Sequence, residues 1–127
     1  MFLYYGQLTN SHTQAEALNY TVYHEATPLT RDPGTVGYGS PLHKNYFVRG
    51  LAQNVPLIDE LGQDRSILND PAAWEQADGS RLSPTRGQLE SFADRPVRVQ
   101  ASQPNYRDGA MARRSLEING AVLTDVC

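Results

Sequence analysis

The chain has 127 residues, a net charge of −3 and a single cysteine, Cys127, so it reads as one domain, 1–127, without an intrachain disulfide. Ile, Leu, Val and Phe together number 27, roughly 21% of the chain and just above the level at which disorder is suspected. With so small a net charge the high-charge signature of disorder is missing, and the expectation is a folded, thin-cored domain that draws stability from a partner surface.

Residues 2–8 read as a short strand. The apolar residues 1–5 have no basic segment before them and end at Gly6, so neither a signal peptide nor a membrane span is expected. Asn19-Tyr20-Thr21 is then a chance match to a glycosylation acceptor. Thr13 with Glu16 forms a capping-box pattern, but Leu18, Tyr20 and Val22 alternate with polar neighbours, which favours a strand over about 18–25.

Residues 27–45 are the least regular segment, with prolines at 28, 33 and 41 and glycines at 34, 37 and 39. Structureless segments of this length are uncommon in small domains and are usually functional or disordered. Proline favours extended chain and glycine permits close approach to another backbone, so the segment is expected to be an arm lying along a neighbouring molecule. Tyr38 and Leu42 are its expected anchors, with Tyr46 beside them. The competing reading makes 27–45 a lid over a pocket of its own domain.

Residues 46–49 read as a strand that Gly50 bends, and 56–61 as one helical turn. A better helix is expected over 70–77, with Asp70 as cap, Pro71 in the first helical position and Gly79 after its end; its packing should bury Trp74. A second helix over 83–93 would align Leu89 and Phe92, with Gly87 weakening it by about 1 kcal/mol. Val97 and Val99 alternate with Arg98 and Gln100 as in a half-buried strand. Residues 102–109, with Pro104 and Tyr106, read as a second irregular segment. Residues 115–124 predict a hairpin about a type I′ Asn119-Gly120 turn, with Leu116, Ile118, Ala121 and Leu123 on one face. The expected fold is β-rich, mainly β or α+β, with one or two short helices, a C-terminal hairpin and long extended arms.

No reaction is legible. His12, His24 and His43 lack paired ligand spacing, Cys127 sits where chains fray, and no nucleophile-elbow motif is present. Gly34 to Gly39 lacks the third glycine and the Lys-Ser/Thr pair of a phosphate loop, and a helix would splay the adjacent carboxylates Asp59 and Glu60. No catalytic residue, metal ligand or cofactor is therefore assigned. Ten of the eleven basic residues are arginine; residues 81–114 carry +4, whereas 1–80 carry −5. Arg95, Arg98, Arg107, Arg113 and Arg114, with Tyr106, are a possible nucleic-acid track, but an acidic chain of pI near 5.5 disfavours one. The split charge suits contact with other protein subunits or with copies of the chain itself, and Arg98, Tyr106 and Arg107 join the expected partner-binding residues.

In general character, rather than in any motif, such a chain resembles the accessory structural proteins of large assemblies, among them capsid decoration (cement) proteins of tailed phages. The resemblance implies a non-enzymatic virion protein that staples neighbouring capsid subunits, placed on the virion surface or otherwise cytoplasmic and not secreted. The alternative is a small enzyme or ligand-binding subunit closed by the 27–45 loop.

Overall fold

A computed structural model describes residues 1–6 and 12–127; part of the expected 2–8 strand lies outside the described residues. The fold is β-rich. Among the described residues there are three antiparallel sheets: β1 (Phe2–Leu3) with β2 (Tyr20–Thr21), β3 (Tyr23–His24) with β4 (Thr27–Pro28), and a C-terminal meander. The meander runs β5 (Gln88–Asp94), β6 (Val97–Arg107), β7 (Ala110–Asn119) and β8 (Val122–Val126), paired in sequence order.

Its central strands show why the chain folds here. Along β6, Val99, Ala101 and Gln103 face inward and Arg98 and Gln100 face out; along β7, Ala112, Arg114 and Leu116 are buried and Met111 and Arg113 are exposed. That period of two buries one face and solvates the other. The N-terminal segment covers the buried face in two clusters. Ala17 and Leu18 meet Ala101, Tyr106 and Ala112, while Tyr20 and Val22 meet Val99 and Leu116. Burying a side chain such as Leu116 contributes about 1.5–3 kcal/mol, and few large side chains do so.

Turn chemistry fixes the meander's register. Asp108 and Gly109, at φ 52 and 78, join Arg107 to Ala110 as the two positive-φ residues of a type I′ turn. This corrects the irregular reading of 102–109: β6 continues through it, with a bulge between Gln103 and Arg107. The last hairpin forms as expected, but one residue later. Asn119 pairs with Val122 and Ile118 with Leu123, so the turn is Gly120-Ala121. Only Gly120 takes a positive φ, as a type II′ turn asks of its first central residue. Ala121 lies in the turn and Asp125, opposite Leu116, takes the inward position.

The expected 83–93 helix is strand β5. Leu89 and Phe92 do share a face at a spacing of three, because the register shifts between Leu89 and Ser91 and a bulge adds one residue to the strand's period. Gly87 has a different role from the one its helix propensity suggested: a Cβ there would lie 1.7 Å from the Tyr5 carbonyl oxygen. Residues 46–49 are not a strand; a π-helical turn spans His43–Phe47. Ile58 pairs with Leu61 around Asp59 and Glu60, both at positive φ, a tight turn in place of the helical one. The 18–25 strand is broken at Leu18, whose φ is 67, and at Val22 between β2 and β3, and Thr13 opens no helix. Asp70 does cap, accepting from the Ala72 N–H at 3.0 Å, but the helix is only a 3₁₀ turn, Pro71–Trp74. Trp74 is therefore only partly buried, its indole N–H donating to the Leu68 carbonyl at 3.1 Å.

Candidate functional site

The 27–45 segment leaves the N-terminal region through β4. Leu29 donates its N–H to the Val22 carbonyl at 2.8 Å, and the Thr30 hydroxyl accepts from the Val22 N–H at 2.9 Å. Beyond Thr30 the chain is irregular, largely exposed and without ladder partners until the turn at 38–40, and it bends at Gly34, whose φ is 72 and whose N–H donates to Asp32 Oδ1 at 2.7 Å. It is tacked down at few points. The Gln14 amide donates to the Gly34 carbonyl at 3.2 Å. Tyr38 lies edge-on to both His12 and His43, with its hydroxyl 2.9 Å from His12 Nδ1, and Thr35 Oγ1 lies 3.2 Å from His43 Nδ1. Even so Tyr38 is 69% exposed, and Leu29, Leu42 and Tyr46 are exposed with it; the Tyr46 ring rests edge-on against Phe47.

The six residues singled out in the sequence do not form one surface. Tyr38, Leu42 and Tyr46 lie together on the arm and the turn that follows it. Arg98 stands on the solvent face of the meander, paired with Glu117. Tyr106 is fully buried, and its hydroxyl donates to the Pro56 carbonyl at 2.7 Å, so it is a core residue with no surface to offer. Burial pushes that hydroxyl well above the ordinary tyrosine range. Arg107 is half-buried and anchored by donation to the Gly62 carbonyl at 2.7 Å.

Three features escaped the sequence. Arg114, read there as a surface cation, is 4% exposed and binds three segments at once. It donates to the Leu18 carbonyl at 2.8 Å, to the Asn54 carbonyl at 2.6 Å and, through two nitrogens, to Asp125 at 2.9 and 2.6 Å. Its guanidinium also lies 4.4 Å from the centre of the Tyr20 ring. Second, the core-side face of β5 is exposed at Phe92, by 67%, and at Leu89 beside it. Third, a cleft of about 570 Å3 opens between residues 44–51 and 60–69. On its wall Gly50 and Gly62 cross so closely that a Cβ on either would lie 2.6 Å from the other's Cα. A smaller cavity of about 380 Å3, lined by His12, Tyr38 and His43, shares Lys44, Val48 and Arg65 with it.

Among the described residues, no three His, Cys, Asp or Glu side chains converge as a metal site, and no helix is long and apolar enough to cross a membrane. In comparison with known proteins, no family model, curated sequence or solved structure matches the chain.

Proposed function

We propose that the chain is a non-enzymatic structural subunit of a large protein assembly, of the kind that decorates a virion capsid and staples neighbouring capsid subunits. The observation that carries this reading is the arm, which holds Leu29, Tyr38, Leu42 and Tyr46 outward with little packing of its own. Total surface supports it. The chain exposes 8184 Å2, whereas a compact monomer of this mass exposes about 6,700 Å2. The excess exceeds the roughly 800 Å2 that each partner buries in a standard interface. Aromatic side chains at such positions are the usual anchors of protein contacts.

Co-sedimentation of the purified chain with assembled capsid particles tests this. Tyr38→Ala and Leu42→Ala are expected to weaken association by about tenfold or more each while the fold melts as before. Association unchanged by both substitutions overturns the proposal.

One observation favours the lid reading instead: Tyr38 sits between two histidines over the smaller cavity. On that reading Tyr38→Ala alters small-ligand binding by a monomer and leaves particle association untouched.

A further inference from the structure

We infer that the cleft between residues 44–51 and 60–69 binds an acidic peptide segment of a partner protein. This deepens the assembly reading and rests on it for the partner's being a protein. Four cationic side chains line the cleft: Lys44, Arg49, Arg65 and Arg107. Among the described residues, none is within ion-pair distance of a carboxylate; the pairs present use Arg98, Arg113 and Arg114. Backbone carbonyls hold two of them in place, and the Asp64 carboxylate partly offsets Arg107 from beyond ion-pair distance. Arg49 Nε donates to the Lys44 carbonyl at 3.2 Å and Arg107 Nε to the Gly62 carbonyl at 2.7 Å. Arg65 donates to Thr13 Oγ1 at 3.0 Å, and its Nε is buried without a partner. A guanidinium that loses water and gains no counter-charge is destabilised until an anion arrives, in keeping with the downward pull of burial on its pKa. Asp64 and Glu60 also line the cleft, so the lining charge is +2 in a chain whose net charge is −3.

Gln63 selects among anions. It lines the cleft at 4% exposure, and among the described residues neither its amide nitrogen nor its amide oxygen has a partner. Turning that carboxamide toward a ligand sacrifices no hydrogen bond. A donor and an acceptor side by side match the N–H and C=O of a peptide group; inorganic phosphate at neutral pH presents mainly acceptor oxygens. The cations then take the peptide's carboxylates, arginine through its bidentate fork.

The probe is a fluorescein-labelled octapeptide alternating Asp and Glu with Gly and Ser, titrated into the full chain and followed by anisotropy. Saturable binding is expected, lost in the Asn/Gln version of the peptide, weakened by salt and lost as pH falls below about 4, where the peptide carboxylates protonate. Lys44→Gln, at an exposed position, and Arg65→Gln should each weaken it by about tenfold, whereas Arg98→Gln on the far face leaves it unchanged. Binding equal for the neutral peptide, full displacement by millimolar inorganic phosphate, absence of saturable binding, or indifference to Lys44→Gln overturns the inference. Particle association distinguishes the two proposals. If it is lost in Tyr38→Ala but intact in Lys44→Gln and Arg65→Gln, the assembly reading stands and the cleft is not its contact.

Discussion

Arg114 joins three parts of the chain that lie far apart in sequence: the Leu18 carbonyl, the Asn54 carbonyl and the Asp125 carboxylate. Arg114 is buried while Asp125 is exposed, so deleting the arginine mainly leaves the Leu18 and Asn54 carbonyls without their donor, which costs about 1–3 kcal/mol. Arg114→Ala should therefore lower the urea-unfolding free energy by that amount, and Arg114→Lys should recover little, since an ammonium cannot reproduce the fork. A loss below about 1 kcal/mol would contradict the clamp. The Arg114 hydrogen bonds hold the Asp125 carboxyl below the usual carboxylate range. A folded pKa below the unfolded one stabilises above the unfolded value, about 3.9, and that stability fades as pH falls through the folded value. The stability difference between the native chain and Asp125→Asn should thus be full at pH 6 and shrink below about pH 4; a difference constant from pH 2 to 7 would exclude the linkage. Nothing in the sequence set Arg114 apart from Arg113. Their neighbouring positions point to opposite faces of β7, and which face is covered depends on the packing of a segment almost a hundred residues away.

At the scale of elements, turn residues decide what hydrophobic spacing leaves open. Asp108-Gly109 carries the type I′ signal, yet Pro104 and Tyr106 beside it gave 102–109 the look of a loop. The Asn-Gly pair at 119–120 did mark a hairpin, but placing the turn at Gly120-Ala121 brings Asp125 inward, opposite Leu116 and within reach of Arg114. The observed register makes a discriminating prediction. Gly120→Val should cost about 1 kcal/mol or more, because a β-branched residue is strained at positive φ. Asn119→Val, at a paired strand end, should stay within about 0.5 kcal/mol. Thermal melts showing the larger loss at position 119 would favour the type I′ register. The helix expected over 83–93 failed for a related reason: a bulge in β5 imitates helical spacing by letting Leu89 and Phe92 share a face. Short periodic segments do not separate these possibilities, whereas the β6 alternation around Val97 and Val99 was legible.

For the whole molecule, the thin core anticipated from composition is what the fold contains: a few buried side chains between one sheet and residues 15–22, with apolar groups displayed outward on the arm and along β5. The arm was legible because prolines and glycines at 28–41 deny it regular structure while its Tyr and Leu residues remain. The cleft was not, since its cations come from residues 44–107 and only the crossing at Gly50 and Gly62 brings them together. The assembly reading assigns most of the arm's ordering to its partner. Fixing backbone costs about 1–2 kcal/mol per residue, and among the described residues the free chain offsets it through the bonds of Leu29 and Thr30 to Val22 and the contacts of Gly34, Thr35 and Tyr38. Hydrogen–deuterium exchange over residues 27–45, in the free chain and in the particle-bound fraction, tests this most directly. The account predicts rapid exchange in the free chain and strong protection on the particle; strong protection in the free chain would contradict it.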